Sequence, residues 1–408
     1  MSDFLHETTA TTEATRARRL GRRASSRAAA YAFLVTMVGT TLPTPLYVLY
    51  RQRFGFSELM VTIIFATYAA GVIAALLLFG RLSDEVGRRP VLLLGLAVLA
   101  LSAVAFLLAD GLAMLLLGRL LSGLSAGIFT GTATATLVDL APPRRAARAT
   151  LVAAVVNIGG LGLGPLIAGA LVQWAAYRLR VAFWVDLGLL IPAVGGVWWM
   201  QATRTSSGSR RLRPQALNVP AEMRATFIRS SLAGFAGFAV MGLFTAVSPA
   251  FLAEILHEKS HVLLGAVVCG VFTASTVGQL ALGRVHDRWA LPGGCGALIA
   301  GMSLVGVGLA IGSLAVLVLG GLVAGFGQGL SFRAALAALN AQAPEERRGE
   351  VASSFFVVAY VALSIPVIGE GVLAQAVGLR VAGLAFVAAV AGLALVVLVL
   401  LGTEDRTR

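Results

Sequence analysis

Long apolar stretches and short polar ones alternate from one end of the chain to the other. Each apolar stretch has about 20 residues, the length that a helix needs to cross the hydrocarbon core of a bilayer. The pattern predicts twelve membrane spans, numbered here in chain order. Their ranges are 29–50, 58–80, 90–109, 112–137, 148–173, 179–199, 228–253, 262–283, 293–311, 313–339, 350–373 and 381–401.

A polar segment in the middle of the chain divides the spans into two sets of six. This segment contains SSGSRRLRPQ and is typical of a flexible basic linker. We therefore predict an all-α membrane protein of twelve transmembrane helices in two six-helix halves. The predicted divisions are a basic tail at 1–28, a bundle at 29–199, the linker at 200–227, a second bundle at 228–401 and a tail at 402–408.

The two sets of spans repeat each other in sequence. Residues 115–127 read LLLGRLLSGLSAG and residues 317–329 read LVLGGLVAGFGQG, and Pro45 in span 1 has a counterpart, Pro249, in span 7. The offsets are all about 200 residues and follow the same order, which indicates two pseudo-symmetric halves in parallel repeat. Such repeats place a substrate site at their interface near the middle of the bilayer.

Composition and charge agree with a membrane protein and fix its expected orientation. Hydrophobic residues make up 58% of the chain and charged residues only 12%, with a mean hydropathy of +0.87. With the N-terminus inside, 24 of the 32 Lys and Arg fall on the inner side and six on the outer side. The excess predicts a multi-pass protein of the cell membrane with both termini in the cytoplasm, embedded in the lipid bilayer. The net charge of +13 therefore reflects topology, and we expect no nucleic-acid partner.

The residues that carry enzyme chemistry are missing from the sequence pattern. Lys259 is the only lysine, and no phosphate-binding glycine loop accompanies it. His257 and His261 flank an outer loop without a carboxylate set, and the two cysteines show no metal spacing. We therefore predict that the protein is not an enzyme and that it has no cofactor or metal. We also expect it to be a monomer.

A charged segment between spans 2 and 3 reads GRLSDEVGRRP over residues 80–90, and GRVHDRW over 283–289 is a weaker copy in the second half. The first segment matches the pattern G-x-L-[AS]-D-x-x-G-R-[RK]-x-x-[LV] without a mismatch. At these residues the chain resembles the major facilitator superfamily, and the resemblance covers almost the whole chain. It implies a transporter that works by alternating access.

The same resemblance implies that this segment is part of a gate on the inner side. Gly87 allows a tight turn, Asp84 would sit at the positive N-terminus of span 11, and Arg88 would pair with Asp139. Such contacts would latch the halves and favour the outward-open state. The alternative is a solvated turn whose arginines only set the topology. The gating candidates are Gly80, Asp84, Gly87, Arg88, Arg89 and Asp139, with Gly283, Arg284 and Asp287 in the second half.

Ionisable residues within the spans are candidates for proton coupling. Arg119 in span 4, Asp186 in span 6 and Glu370 in span 11 are costly to bury in a membrane without a function. Arg119 could pair with Asp186, and a carboxyl that alternates between pairing and protonation could carry a proton. The alternative for Arg119 is that it snorkels to the interface, and for the two acids it is interfacial hydration.

Span 5 carries GGLGLGPLIAG over residues 159–169. Its Gly160, Gly164, Pro165 and Gly169 fit the pattern G-x-x-x-G-P-x-x-[GA]-G. In the resembled superfamily this pattern marks exporters, particularly twelve-helix drug:proton antiporters. The alternative is close helix packing through small residues alone.

Polar residues on spans 1 and 10 are the candidates for a substrate cavity. Span 1 has no acid and offers Thr40 and Thr41, whereas span 10 has Gln328 and Arg333. The first functional hypothesis is a proton-coupled exporter of small amphipathic or hydrophobic molecules, with protons as the coupling ion. The alternatives are an uptake symporter or uniporter for a sugar or other small solute, and a membrane sensor or scaffold that transports nothing.

Overall fold

The structure is a computed structural model that describes residues 20–79, 82–175, 177–201 and 217–405, except for the side chains of Asp84, Asp287, Glu404 and Asp405. Within these ranges all regular structure is helical, and twelve helices are long and apolar enough to cross a membrane. They are α1 Arg22–Phe54, α2 Glu58–Phe79, α3 Arg88–Leu107, α4 Leu112–Leu140, α5 Pro143–Trp174, α6 Val181–Trp198, α7 Ala221–Ile255, α8 His261–Arg284, α9 Arg288–Ile311, α10 Leu314–Gln342, α11 Glu345–Val377 and α12 Leu379–Thr403.

The twelve helices correspond one to one with the twelve predicted spans, so the predicted fold class is confirmed. Several helices begin earlier than the apolar pattern does. Helix α1 begins at Arg22 rather than at residue 29, and α7 begins at Ala221 rather than at residue 228. Charged residues end an apolar pattern, but Arg is a good helix former and continues the helix into the interface.

Matching irregularities interrupt α1 and α7. The regular part of α1 ends at Thr41, and a 3₁₀ turn at Thr44–Leu46 precedes its last segment. In α7, π-helical turns at Leu243–Val247 and Phe251–Ile255 flank the segment that contains Pro249. Proline lacks the backbone N–H and displaces the preceding turn. The matched prolines of the sequence repeat therefore mark matched breaks in the two halves.

Glycines of the sequence repeat make equivalent helix contacts in each half. In the first half a Cβ at Gly123 of α4 would lie against the carbonyl oxygen of Tyr68 in α2. In the second half a Cβ at Gly325 of α10 would lie 2.5 Å from the carbonyl oxygen of Val271 in α8. These approaches leave no room for a side chain. The repeated glycines therefore set the α2–α4 and α8–α10 distances.

The two halves pack against each other through α5 on α8 and α2 on α11. We call inner the end of the bundle expected to face the cytoplasm. Near the middle of the bundle a Cβ at Gly162 would lie 2.9 Å from the Cβ of Phe272, and near the outer end a Cβ at Gly371 would lie 3.1 Å from the Cα of Leu59. The glycine contacts between the halves thus extend from the outer end to the middle.

Candidate functional site

The guanidinium of Arg119 lies in a cage of aromatic rings near the middle of the bundle. Its Cζ is 4.9 Å from the ring centre of Tyr68, 5.5 Å from that of Phe65 and 5.8 Å from that of Tyr47. Nη1 donates a hydrogen bond of 2.6 Å to the carbonyl oxygen of Thr40. Arg119 is 1% exposed, so it faces the interior of the bundle and does not snorkel. Cation–π contacts and one carbonyl replace the water that the cation has lost.

A row of aromatic rings continues from this cage into the second half. We call Tyr68, Tyr360, Phe238, Phe332 and Phe356 the aromatic row. Successive ring centres are 6.4 Å, 6.2 Å, 5.3 Å and 6.1 Å apart in that order. The side chains come from α2, α7, α10 and α11, and all except Tyr68 are partly exposed.

The aromatic row runs inward from the middle of the bundle. Tyr68 and Tyr360 lie near the middle of their helices, and Phe356 lies in the inner third of α11. The ring of Tyr68 in α2 packs edge-on against the ring of Tyr360 in α11, which links the two halves. The row therefore presents a largely apolar surface with a few hydroxyls at the interface of the halves, where a repeat transporter binds its substrate.

Asp186 does not pair with Arg119 in this conformation, contrary to the pairing that the sequence suggested. A Cβ at Gly39 would lie 2.7 Å from Oδ1 of Asp186, so the carboxylate packs directly against helix α1. The next residue of α1, Thr40, accepts the hydrogen bond from Arg119. The two charged groups thus contact consecutive residues of one helix. Asp186 is 2% exposed, and its Oδ1 has no hydrogen-bond partner among the described residues.

An ion-pair cluster closes the outer end between the two halves. Arg51 at the end of α1 pairs with Glu58 of α2 and, at 2.5 Å, with Glu254 of α7. Close by, the backbone N–H of His261 donates a hydrogen bond of 2.9 Å to Oε1 of Gln173, which joins α8 to α5. The structure is therefore in an outward-closed conformation.

The charged segment at the inner end forms the local contacts that were predicted for Gly87 and Arg88. Gly87 has φ 104° and ψ 154°, a conformation that only glycine adopts readily. Nε of Arg88 donates a hydrogen bond of 3.2 Å to Oδ2 of Asp139, and Nη1 donates one of 2.5 Å to Oγ of Ser83. Arg22 of α1 also donates to the carbonyl oxygen of Asp139, at 3.2 Å. These contacts tie together the inner ends of α1, α3 and α4.

The other gating candidates are less informative. Arg89 lies with its Cζ 5.4 Å from the ring centre of Trp198, within the first half. Gly283 and Arg284 are exposed at the end of α8. Gly80 and the side chains of Asp84 and Asp287 lie outside the described residues.

The motif of α5 faces two helices at once. A Cβ at Gly160 would lie 2.6 Å from the Cβ of Met37, and one at Gly164 would lie 2.5 Å from the carbonyl oxygen of Val38, both in α1. On the opposite side, Pro165 lies against Gly265 of α8. Gly169 lies on the same side, against the first residues of α8. The motif therefore lets α5 pack tightly between its own half and the other half.

The predicted cavity residues are mostly packed inside the halves in this conformation. The hydroxyl of Thr41 donates to backbone carbonyls of its own helix and lies against Gly164. Oε1 of Gln328 accepts a hydrogen bond of 2.5 Å from Ser275, and both are buried. Thr40 contributes its carbonyl to Arg119, and Arg333 is half-buried beside Phe332. Polarity alone did not show which helix faces these side chains point to.

Glu370 lies apart from Arg119, in a cavity of about 370 Å³ between α7, α11 and α12. The side chain is 3% exposed, and Oε1 has no hydrogen-bond partner among the described residues.

A bundle of two six-helix repeats, closed at the outer end and carrying a buried cation and an aromatic row at the interface of the halves, has the architecture of a secondary membrane transporter rather than of an enzyme. The chain belongs to the major facilitator superfamily, whose family model matches residues 29–365. The family suggested by the charged segment is therefore confirmed.

Solved transporters share the fold at low sequence identity. A bacterial homolog to the human lysosomal transporter Spinster, solved in an inward-facing and unoccupied conformation, superposes with a TM-score of 0.74 and 15% identity, over 95% of this chain and 98% of that one. The human organic anion transporter MFSD10 gives a TM-score of 0.64 and 18% identity, over 94% of this chain and 100% of that one.

Curated relatives match only part of the chain. A triacylglyceride transporter of Mycolicibacterium hassiacum is 32% identical over 52% of this chain and 37% of its own length. The multidrug resistance protein MdtL of Escherichia fergusonii is 29% identical over 57% of this chain and 60% of its own length. The matches thus span less than two thirds of the length of either relative.

Proposed function

We propose that this protein is a proton-coupled antiporter that exports small amphipathic or hydrophobic molecules across the cell membrane. The observation that carries the proposal is the aromatic row at the interface of the halves. Aromatic side chains bury large apolar areas and accept many shapes. Binding sites for small molecules are mostly apolar with a few polar groups that orient the ligand. The row and the hydroxyls of Tyr68 and Tyr360 have this composition.

Two further observations support apolar cargo and export. One relative is named a triacylglyceride transporter and another a multidrug resistance protein, and both names concern molecules other than sugars. The motif of α5 resembles that of exporters, and in this structure it packs against both halves at the outward-closed interface. A helix in that position must change its contacts with α8 when the outer end opens.

The coupling group of this proposal is Asp186. A carboxylate buried without a partner is costly, and either a proton or a nearby cation would remove that cost. In the outward-closed conformation Asp186 lies against Gly39 while Arg119 binds the carbonyl of Thr40. We propose that a shift of α1 on opening brings the carboxylate and Arg119 together and displaces the proton. Coupling would then follow the movement of one helix.

The gates at the two ends would alternate. Arg51 holds the outer end closed through Glu254 in this structure. In the opposite state the inner segment that contains Arg88 would be the closed end, with Asp84 at the start of α11 as the contact between the halves. The Arg88–Asp139 pair lies within the first half and would keep the segment in place in both states.

Proteoliposomes with the pH dye pyranine inside test the proposal. Rhodamine 6G, an amphipathic aromatic dye, is added to vesicles that hold a pH gradient. We expect the dye to drive a saturable proton movement in the direction opposite to its own. Phe332→Ala removes one ring of the row and should raise the half-saturating dye concentration by roughly tenfold, from the area lost. Phe326→Ala is the matched control, because Phe326 lies on the same helix but lines a groove on the outside of the bundle.

Each other outcome contradicts part of the proposal. Dye movement without protons indicates a uniporter, and movement of both in one direction indicates a symporter. Equal effects of Phe326→Ala and Phe332→Ala would exclude the aromatic row as the specific site. No movement of the dye or of any other amphipathic compound would exclude export of this class of cargo.

A further inference from the structure

The cavity around Glu370 has the composition of a ligand site rather than of a packing defect. Its volume of about 370 Å³ falls in the range of small-molecule sites. Glu370 contributes the only polar side chain among the lining residues, and Phe235, Phe386 and Leu393 are among the apolar ones. Glu370 is 3% exposed, and its Oε1 has no hydrogen-bond partner among the described residues. A polar group in that position is costly unless something binds it.

The cavity opens toward lipid and not toward the aromatic row. All its lining residues belong to α7, α11 and α12, so the first half contributes none. At its rim Gly369 of α11 and Ala385 and Ala389 of α12 are exposed. Two further residues of α11, Ile365 and Val372, are 61% and 52% exposed. Exposed apolar side chains in the middle of a spanning helix contact lipid chains. A ligand would therefore reach the cavity from within the membrane.

The chemistry of the lining selects the ligand. Apolar walls favour a molecule that partitions into the bilayer, and an unpaired carboxylate favours a positive charge at one end of it. An ammonium within hydrogen-bonding distance of Glu370 would supply the missing partner in a poorly hydrated site, where charged hydrogen bonds are strong. A neutral molecule of the same shape would leave the carboxylate unpaired.

We propose that the Glu370 cavity binds lipophilic amines taken up from the membrane, with the ammonium held by the Glu370 carboxylate. This site is separate from the aromatic row and does not depend on the direction of transport. In it, Glu370 is a binding residue for a cation and not the coupling acid. An amine bound there contacts α7, α11 and α12 only.

Equilibrium binding to the full chain in lipid nanodiscs tests the proposal, with tritiated imipramine as the amine and tritiated iminodibenzyl as the same ring system without the amine chain. We expect saturable binding of imipramine above the level of protein-free nanodiscs. Glu370→Gln keeps the shape of the side chain and should weaken imipramine binding at least about tenfold. It should leave the weaker binding of iminodibenzyl unchanged.

Two further variants separate this site from the central one and from effects on folding. Ala389→Phe fills the rim and should weaken both ligands, whereas Phe332→Ala in the aromatic row should leave the Glu370-dependent part of imipramine binding unchanged. Only variants that are monodisperse by size-exclusion chromatography are compared. If Glu370→Gln is not monodisperse, the binding of imipramine to Ala389→Phe is used to test the proposal. Binding no greater than that of the lipid alone, or unchanged in both cavity variants, would overturn the proposal. Loss of binding in Phe332→Ala alone would place the amine in the aromatic row and overturn it as well.

Discussion

A side chain added at Gly265 should hold the outer end of the protein open. Gly265 lies on α8 where it meets α5 of the other half. A Cβ there would lie 2.7 Å from the carbonyl carbon of Pro165 and 2.9 Å from the Cα of Leu166. These are backbone atoms, which cannot turn away as a flexible side chain can. In Gly265→Val the outward-closed state must therefore strain or separate, whereas an outward-open state does not make this contact.

The size of the effect follows from the cost of overpacking. Adding methylene groups to a close-packed contact costs about 1–3 kcal/mol. A coupling of that size corresponds to a change of roughly 5–150-fold in the ratio of closed to open molecules. A protein that is nearly all closed would then show a substantial open population, and one that is balanced would become nearly all open.

Pulsed electron–electron resonance between spin labels measures this population. Gln52→Cys and Lys259→Cys place labels on exposed outer positions of the two halves, and the native cysteines Cys269 and Cys295 are replaced by Ser. We expect Gly265→Val to add a population at longer distance.

The matched control for Gly265→Val is Gly159→Val on α5, because a Cβ at Gly159 would have no neighbour within 4 Å. That variant should keep the distance distribution of its parent. An unchanged distance distribution in Gly265→Val, or equal opening of the outer end by Gly159→Val, would contradict a steric effect at Gly265.

Three further substitutions test the local geometry. Gly87→Ala should lower the free energy of unfolding by about 1–3 kcal/mol, because its φ of 104° disfavours other residues, as measured by denaturant titration in micelles. Arg88→Ala should cost about 1–3 kcal/mol in the same assay by removing the hydrogen bond to Asp139, and an unchanged midpoint would contradict this. Gly39→Ala should destabilise the protein by a similar amount, because its methyl group would contact the Asp186 carboxylate. The loss of unfolding free energy should be smaller in a background that carries Asp186→Ala. An equal loss in that background would show that this contact is not the cause.

The fold was predictable because its signals are local along the chain. An apolar run of about 20 residues is sufficient to indicate a span, and the order of matched segments indicates two halves. Gly123 and Gly127 recur as Gly325 and Gly329, and in both halves they contact a neighbouring helix. The starts of α1 and α7 were not predicted, since a charged turn can be helical without being apolar.

Part of the site was predictable from motif spacing, and part was not. The pair of Arg88 with Asp139 followed from the matched loop motif and is present in the structure. The pair of Arg119 with Asp186 was inferred from similar depth in the membrane, but depth does not fix the position of a side chain around a helix bundle. The Arg119 guanidinium and the Asp186 carboxylate contact consecutive residues of α1 and do not contact each other. The spacing of residues within span 4 or span 6 does not predict this arrangement.

The outer gate and the aromatic row were missed for the same reason. Arg51 and Glu254 are about 200 residues apart, and in the sequence Arg51 counted only as one of six outer cations. In the aromatic row, Phe356 and Tyr360 are four residues apart on α11. This spacing indicates that the two rings lie on the same face of the helix. The contacts from Tyr360 to Phe238 and Tyr68 join three helices, and no pattern within a single span predicts them.

Cargo accumulation driven only by a pH gradient measures whether Asp186 couples proton movement to transport. Proteoliposomes contain either the parent protein or Asp186→Asn. For dye–dye exchange they are loaded with rhodamine 6G, and for uptake they start without dye and with an imposed pH gradient. We expect Asp186→Asn to keep dye–dye exchange within about twofold of the parent protein but to lose accumulation against a dye gradient. Full gradient-driven accumulation by Asp186→Asn, or none by the parent protein, would contradict proton coupling through Asp186.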